Sequence, residues 1–389
     1  MVKSKFTIHH SATPKMIYLH IPFCKQKCSY CNFHFSTSLD FKGEMISAIK
    51  KEIFLRKDEL KNKNLKSLYF GGGTPSILEV DEIKSLIDEV QKYFDFDENI
   101  EITLEANPDD LSQNFVKELS KTFVNRLSIG TQSFFEEDLK LMNRAHSASE
   151  AESSIKRSQD FGFENISIDL IYGSPTSNFE IWKKNLDKTI ELQVPHVSSY
   201  ALTVEPKTAL ENWIDKGKIA SPKESEQNKE FYYMSDFLKD NGFDHYEISN
   251  FGKPNFHSKH NSAYWKYQEY LGIGPSAHSY NGNNERSWNI ANNAKYIKNL
   301  NENILPKETE ILSEKDQFNE MLMIGLRTIW GTDLSKMKEK FSSEIMEKLN
   351  KEIQPKISDG ILIIENNHLK IPEKHWFLAD GIAADLFLV

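Results

Sequence analysis

The sequence predicts an α/β fold, in which a parallel sheet with helices outside it is followed by a smaller C-terminal α+β appendage. Short β-rich runs recur from residue 16 onward, and charged amphipathic stretches of helical period separate them. Six strand–helix units in succession favour a partial (βα)6 barrel over a closed barrel of eight. The six runs are Met16–Pro22, Ser67–Gly73, Glu101–Pro108, Arg126–Ser133, Ile166–Gly173 and His196–Val204.

Helical periodicity is clearest in three of the intervening stretches, Phe41–Leu60, Glu79–Tyr93 and Ala148–Phe161. The C-terminal part predicts the helices Lys315–Ile329 and Ser335–Ile353, a hairpin of Gly360–Glu365 with His368–Ile371, and a closing helix over Trp376–Phe387. This order is winged-helix-like. Because residues 313–389 hold 10 Lys and Arg against 13 Asp and Glu, covering the barrel or docking a protein fits this part better than binding DNA.

The composition is typical of a globular protein, with 39% hydrophobic and 27% charged residues among 389. The 48 Lys and Arg against 57 Asp and Glu give a net charge of −9, which argues against nucleic acid as a partner. No run approaches the roughly 20 apolar residues that cross a bilayer, and the N-terminus lacks the apolar core of a secretion signal. We therefore expect a cytoplasmic protein whose thiols stay reduced.

All three cysteines, Cys24, Cys28 and Cys31, lie in one loop after the first predicted strand. Three thiols within eight residues cannot form a disulfide framework for the whole chain, so they indicate a metal centre. Three thiolates can bind three irons of a [4Fe–4S] cluster and leave the fourth iron open. Structural zinc is the alternative, and it needs a fourth ligand such as His34 or His20.

Further polar and glycine residues fall at the carboxyl ends of the predicted strands, where parallel α/β folds bind ligands. Each has a structural interpretation. Gly71–Pro75 (GGGTP) can be a tight turn, Glu105 and Gln132 can bond to loop groups, and Asp169 can pair with Arg144. Together, however, they place a glycine surface, carboxylates, an amide and a guanidinium beside the cysteine loop. That set suits S-adenosylmethionine, which carries an amine, a carboxylate and a ribose.

Five motifs follow one another along the chain: Cys-x3-Cys-x2-Cys with an aromatic residue before the third cysteine, GGGTP, EANP, SIGTQSF and SIDLIYGSP. From about Met16 to the C-terminus, the chain resembles the radical-SAM proteins of the oxygen-independent coproporphyrinogen III oxidase family. The resemblance implies the radical-SAM partial barrel, a [4Fe–4S] cluster on Cys24, Cys28 and Cys31, and S-adenosylmethionine on the open iron. It implies S-adenosylmethionine contacts by Tyr18, Gly72, Gly73, Thr74, Glu105, Gln132, Arg144 and Asp169, with Ala201 as a further contact.

Two features separate the chain from the oxidases of this family. The oxidases carry another cysteine two positions after the third, where this chain has Phe33, and their N-terminal arm is longer than the 23 residues before Cys24. The chain is instead similar to the heme-chaperone branch of the family. Residues 260–265 (HNSAYW) match the HNxxYW motif that is associated with heme in that branch.

The residue types alone leave the role of this motif open. Imidazole is a common axial ligand of heme iron, and aromatic rings offer flat apolar surface to a porphyrin. The structural alternative is a hydrogen-bonded histidine among core aromatic residues. The resemblance implies heme contacts by His260, Asn261, Tyr264 and Trp265. His257 and His278 are competing ligands of the iron.

The resulting hypothesis is a heme chaperone that binds one heme and transfers it to an acceptor protein, with respiratory enzymes among the candidates. The alternatives are an oxidase that converts coproporphyrinogen III to protoporphyrinogen IX, and a radical-SAM enzyme with another substrate. Whether the chain is an enzyme stays open, as do its oligomeric state, a dimer included, and transient membrane contact. The predicted domains are an irregular leader (1–15), the radical-SAM core (16–243), a connecting segment with the HNxxYW motif (244–305) and a HemN-type C-terminal domain (306–389).

Overall fold

The structure is a computed structural model that describes residues 15–389, so the predicted leader lies outside the described residues apart from Lys15. In this range the strands are β1 (Lys15–Ile21), β2 (Asn64–Gly72), β3 (Asp95–Ala106), β4 (Arg126–Gln132), β5 (Asn165–Tyr172), β6 (His196–Ala201), β7 (Asp244–Glu247), β8 (Asn250–Gly252), β9 (Tyr270–Ile273), β10 (His278–Tyr280), β11 (Glu285–Asn289), β12 (Lys307–Ile311), β13 (Thr332–Asp333), β14 (Ile363–Glu365) and β15 (His368–Lys370).

The helices are α1 (Lys42–Arg56), α2 (Val80–Gln91), α3 (Gln113–Leu119), α4 (Glu136–Leu141), α5 (Ala148–Asp160), α6 (Phe179–Glu191), α7 (Ala209–Asp215), α8 (Glu224–Asp240), α9 (Lys259–Trp265), α10 (Asn293–Asn301), α11 (Glu314–Leu326), α12 (Leu334–Lys340), α13 (Ser343–Ser358) and α14 (Ala379–Ala384). Short 3-10 helices cover Pro75–Ile77, Pro108–Asp110 and Glu373–Leu378. Within residues 15–389, none of the helices combines the length and the hydropathy that crossing a bilayer requires.

Strands β1 to β6 pair in chain order and run parallel, which confirms the predicted partial barrel. Side chains alternate along them with the period of two that strands impose. Outward-facing residues such as Leu19, Phe70 and Leu104 are fully buried in the core under the helices. Inward-facing residues such as Glu105 and Asp169 line a cavity instead. The interior of the partial barrel is therefore polar, as a ligand site requires.

The sheet continues past both edges of the six-stranded unit. Strand β9 pairs parallel to β1 and is followed by β10, β11 and β12, while β8 and β7 extend the sheet from β6. The predicted connecting segment 244–305 thus supplies strands at both edges, and α9 between them contacts β2. Because β12 (Lys307–Ile311) pairs with β11, the main sheet ends after the predicted boundary at residue 306, and that boundary stays a prediction.

The C-terminal part contains the predicted hairpin, β14 and β15, with the left-handed residues Asn366 and Asn367 at its turn. Strand β13 completes a three-stranded sheet beside α11, α12 and α13, in agreement with the winged-helix-like prediction. The predicted single helix Ser335–Ile353 is wrong. Phe341 is extended, with φ −112° and ψ 154°, and the Ser342 hydroxyl accepts a hydrogen bond from the Ile345 amide to begin α13. Helix α12 therefore ends at Lys340, and Ser342 is the N-cap of a separate helix, α13.

Candidate cofactor and heme site

A cavity of about 900 Å3 lies at the carboxyl ends of β1–β6. Its volume is near the upper end of the range for small-molecule sites, roughly 300–1,000 Å3. Residues from separate strands and from the cysteine loop share its wall. Every residue predicted for the cluster and S-adenosylmethionine lines it: Tyr18, Cys24, Cys28, Cys31, Gly72, Gly73, Thr74, Glu105, Gln132, Arg144, Asp169 and Ala201.

The cysteine loop is fixed to the barrel through its backbone. The amide and hydroxyl of Ser29 donate to the carbonyl oxygens of Met142 and Leu141, at 3.0 and 2.7 Å. The Asn143 side chain donates to the Lys27 carbonyl at 2.8 Å. The three thiols are therefore held on a preorganised loop, and all of them are partly exposed to the cavity.

Two side chains donate hydrogen bonds to these sulfur atoms. Arg144 Nη1 lies 3.2 Å from Cys28 Sγ, and Thr74 Oγ1 lies 3.5 Å from Cys24 Sγ. Burial raises the pKa of the Cys24 thiol to about 11, so a metal must displace a proton from it. In the described part of the chain, no three His, Cys, Asp or Glu side chains lie close enough to share one ion.

The absence of side chains in the glycine run allows close packing of neighbouring residues, in addition to leaving room for a ligand. Gly72 has φ +111°, and a Cβ there would lie 2.7 Å from the His20 ring. A Cβ on Gly73 would lie 2.4 Å from the Phe23 carbonyl oxygen. The structural interpretation of the glycines therefore holds in part, because they let the cysteine loop pack on β2. Gly72 and Gly73 also leave backbone exposed on the cavity wall.

Two carboxyl groups face the cavity in surroundings that disfavour their charge. Burial raises the pKa of Glu105 to about 7. The hydrogen bond from Tyr69 lowers this pKa, whereas the negative charge of Asp169 raises it further. Burial likewise raises the pKa of Asp169 to about 6. The Tyr69 hydroxyl donates to Glu105 at 2.8 Å, and the Ser128 hydroxyl donates to Asp169 at 3.2 Å. A cationic ligand would favour the ionised form of both carboxyl groups.

The predicted alternative, in which Arg144 pairs with Asp169, does not occur among the described residues. Arg144 Nη2 donates instead to Asn107 Oδ1 at 2.6 Å and to the Gly130 carbonyl at 2.8 Å. Its buried Nε has no hydrogen-bond partner within residues 15–389. Gln132, the last residue of β4, has a left-handed φ of 64°. This strained backbone conformation often marks functional sites.

Sequence reasoning missed Tyr69, Asn107 and Ser128, which hold the predicted site residues in place. All three also face the inside of the barrel or its rim. Counting back by two from Glu105 along its strand, and applying the same alternation to the neighbouring strands, would have assigned Tyr69 and Ser128 to the inner face. Asn107 follows Glu105 in the EANP motif and carried no separate signal.

The heme-associated motif lies on α9. His260 is 1% exposed, and both of its ring nitrogens are hydrogen-bonded: Nδ1 to the Ser67 hydroxyl at 2.8 Å and Nε2 to the Tyr264 hydroxyl at 3.0 Å. Its ring stacks on Tyr69, with centroids 4.7 Å apart. The Glu101 carboxylate accepts the His260 backbone amide at 3.0 Å, which fixes the start of the helix. His260 therefore lies behind the cavity wall.

The other residues of the motif point in different directions. Tyr264 lines the cavity, whereas the Trp265 ring lies 5.5 Å from the guanidinium of Arg327. The backbone amide of Asn261 donates to the Ser258 hydroxyl at 3.2 Å, within the N-terminal cap of α9. The structure brings Tyr264 to the cluster cavity and does not bring Asn261 or Trp265 there.

The two competing histidines also differ in position. His257 Nε2 lies 3.0 Å from an Asp244 carboxylate oxygen, and its ring stacks on Tyr246. His278 lines the same cavity as the cysteines. Phe33, where the oxidases have a further cysteine, lines this cavity as well and is 72% exposed.

Comparison with known proteins agrees with this geometry. The model of the Radical SAM superfamily matches residues 18–189, and that of the HemN C-terminal domain matches residues 312–378. Coproporphyrinogen III oxidase (HemN) from Escherichia coli has a similar structure, with a TM-score of 0.82 at 23% identity, covering 96% of this chain and 90% of that one. At this identity the likeness establishes the fold alone.

Full-length relatives establish the family. The heme chaperone HemW of Lactococcus lactis is 34% identical, with 95% of this chain and 96% of the relative covered. HemW of Bacillus subtilis is 33% identical, with 85% and 88% covered. The chain therefore belongs to the HemW family of radical-SAM proteins.

Proposed function

We propose that this protein is a heme chaperone that binds one heme and passes it to an acceptor protein, with a [4Fe–4S] cluster and S-adenosylmethionine in the same cavity. One observation carries the proposal. The cysteine loop, the S-adenosylmethionine candidates and Tyr264 of the heme-associated motif all line a single cavity of about 900 Å3. A heme bound in this cavity would share its wall with the cysteine loop and with the S-adenosylmethionine candidates.

The chain's own residues fit these ligands. Cys24, Cys28 and Cys31 would hold three irons, and the raised pKa values of Glu105 and Asp169 mean that a bound cation would stabilise both carboxylates. The unpartnered Arg144 Nε suits a carboxylate acceptor. When bound, the reduced cluster can supply one electron to the sulfonium of S-adenosylmethionine. The protein's part is to position the two groups and limit the access of water.

Phe33 argues against an oxidase. It occupies the position of the oxidases' additional cysteine, and its exposed ring offers apolar surface at the cavity. Such a surface suits the flat face of a porphyrin. We therefore expect heme binding without decarboxylation of coproporphyrinogen III, in a cytoplasmic protein.

Anaerobic reconstitution of the cluster followed by two separate assays tests the proposal. Hemin titration should show saturable binding of one heme per chain, and incubation with coproporphyrinogen III, S-adenosylmethionine and reductant should yield no protoporphyrinogen IX. Loaded protein should then transfer heme to a heme-free respiratory cytochrome. Turnover of coproporphyrinogen III without stable heme binding would overturn the chaperone proposal in favour of the oxidase.

The same reconstituted protein can be used to test its oligomeric state and its contact with membranes. Light scattering of the reconstituted protein, with and without S-adenosylmethionine, distinguishes a monomer from a dimer. Co-sedimentation with vesicles that contain anionic lipid tests for transient membrane contact during transfer.

A further inference from the structure

A heme iron needs a ligand whose lone pair faces open space, and the histidine of the HNxxYW motif does not offer one in this arrangement. Both ring nitrogens of His260 are occupied by Ser67 and Tyr264, and the residue is almost completely buried. His20 lines the cavity, but its nitrogens contact the Tyr18 hydroxyl at 3.2 Å and the His34 carbonyl at 3.1 Å. Coordination by either histidine would require these bonds to break.

His278 has the opposite properties. It lies on β10, is exposed and lines the cavity. Among the described residues, no hydrogen bond engages its ring nitrogens, so a lone pair is accessible. Partial burial of the ring lowers the pKa of His278, and the positive charge of Arg286 acts in the same direction. Both effects favour the neutral ring, which is the form that coordinates iron.

The surroundings of His278 suit a flat apolar ligand. Trp288 is its direct partner across β10 and β11, and the two ring centroids are 6.1 Å apart. Phe33 and Phe35 contribute aromatic rings to the same cavity from the cysteine loop. A porphyrin coordinated by His278 would thus share the cavity with these apolar rings and with Tyr264.

His34 provides a matched comparison. It lines the same cavity and, unlike His278, has one ring nitrogen, Nε2, anchored by Asn293 Oδ1 at 2.7 Å. A general loss of positive or polar groups at the cavity would affect both histidines. A requirement for iron coordination should single out His278.

We propose that His278 is the axial ligand of the heme iron, and that His260 is a positioning residue that holds the Tyr264 hydroxyl at the cavity wall. This inference rests on the proposed heme-chaperone function and assigns the iron ligand of that site.

Hemin titration of the cluster-reconstituted protein, followed by electron paramagnetic resonance of the ferric heme, tests the assignment. His278→Ala should weaken hemin binding about tenfold or more and change the heme signal, while His34→Ala should leave both near the wild-type values. Added imidazole should restore the wild-type heme signal in His278→Ala. His260→Ala should weaken binding but retain the wild-type signal, because the iron ligand is still present.

A second substitution guards against a folding defect in the alanine variant. His278→Met should fold, keep the cluster absorbance and bind heme through its thioether, with an altered signal and a higher heme reduction potential. A wild-type signal in His278→Met, or wild-type affinity and signal in His278→Ala, would overturn the assignment. Failure of the wild-type protein to bind hemin would instead overturn the proposed function itself.

Discussion

The carboxyl ends of β1–β6 and the helix α9 each carry a recognisable motif set, but the two sets converge differently. The strand-end residues are far apart in sequence and meet at one cavity, because parallel strands end at the same edge of the sheet. The HNxxYW residues are adjacent in sequence and diverge, because successive positions on a helix are rotated by about 100°.

Residues that are distant in sequence can therefore share one site, whereas residues of one short motif can lie in different surroundings. Of the α9 set, only Tyr264 lines the cavity, while His260 lies behind it and Trp265 faces the C-terminal part. A motif on a helix can thus combine one residue that contacts a ligand with others that place the helix. The following variants test this division, beginning with the largest expected effect.

Cys28→Ser should abolish the [4Fe–4S] cluster. It removes one of the three thiols of the chain and replaces the sulfur that accepts a hydrogen bond from Arg144 Nη1 with a hydroxyl, a poor ligand of iron. Iron and sulfide analysis after anaerobic reconstitution measures the effect, and Ser38→Ala, an exposed change in the same loop, serves as the control. A Cys28→Ser protein that still held four irons would contradict the ligand assignment.

Gly72→Ala should destabilise the strand-end site strongly. A left-handed φ of 111° costs a non-glycine residue about 1–3 kcal/mol, and contact with the His20 ring adds an overpacking cost of about 1–3 kcal/mol. The ring cannot move cheaply, because both of its nitrogens are hydrogen-bonded. Urea denaturation measures the loss in free energy of unfolding.

Gly217→Ala is the matched control for this variant. Gly217 also has a positive φ, 66°, but a Cβ there would meet no atom within 4 Å. It should cost only about 1 kcal/mol, from backbone strain alone. Equal losses in the two variants would show that the contact of a side chain at position 72 with the His20 ring adds no cost.

The same contrast explains how far the sequence could predict the molecule. Short β-rich runs, separated by stretches of helical period, were sufficient to predict the six parallel strands, and the polar residues at their ends indicated the cavity. The sequence did not predict which residues of the HNxxYW motif face the cavity and which face other parts of the protein. The direction of His260 depends on Ser67 in a distant strand, and that of Trp265 depends on Arg327 in the C-terminal part. The break at Phe341 was also missed, because the serine cap lies inside an otherwise continuous helical pattern.

Trp265→Ala should lower the stability of the protein without weakening its binding of heme. Loss of the contact with Arg327 and of buried indole surface should lower the free energy of unfolding by about 1–3 kcal/mol. Hemin affinity should stay near the wild-type value, because Trp265 does not line the cavity. Tyr264→Ala should show the reverse pattern, a larger loss of hemin affinity than of stability. If Trp265→Ala lost hemin binding at full stability, the division within the motif would be wrong.

The smallest expected effect concerns the pH dependence of the strand-end carboxyl groups. The pKa of Glu105 is raised to about 7 in the folded protein, above its ordinary value near 4.5. Between these values the folded state holds a proton that the unfolded state has lost, so the stability of the ligand-free protein should fall as the pH rises from about 4.5 to 7. Asp169, with a pKa raised to about 6, acts in the same direction over a lower range.

Glu105→Gln tests this dependence, since the amide preserves the shape of the side chain and cannot ionise. The melting temperature of the ligand-free wild type should decrease across this pH window, and the decrease should be shallower in the variant. S-adenosylmethionine should bind the wild type more tightly as the pH rises through about 7, because its positive charge favours ionised Glu105. An identical pH dependence in both proteins would mean that Glu105 is already ionised, and that the carboxyl groups of the cavity do not respond to the charge of the ligand.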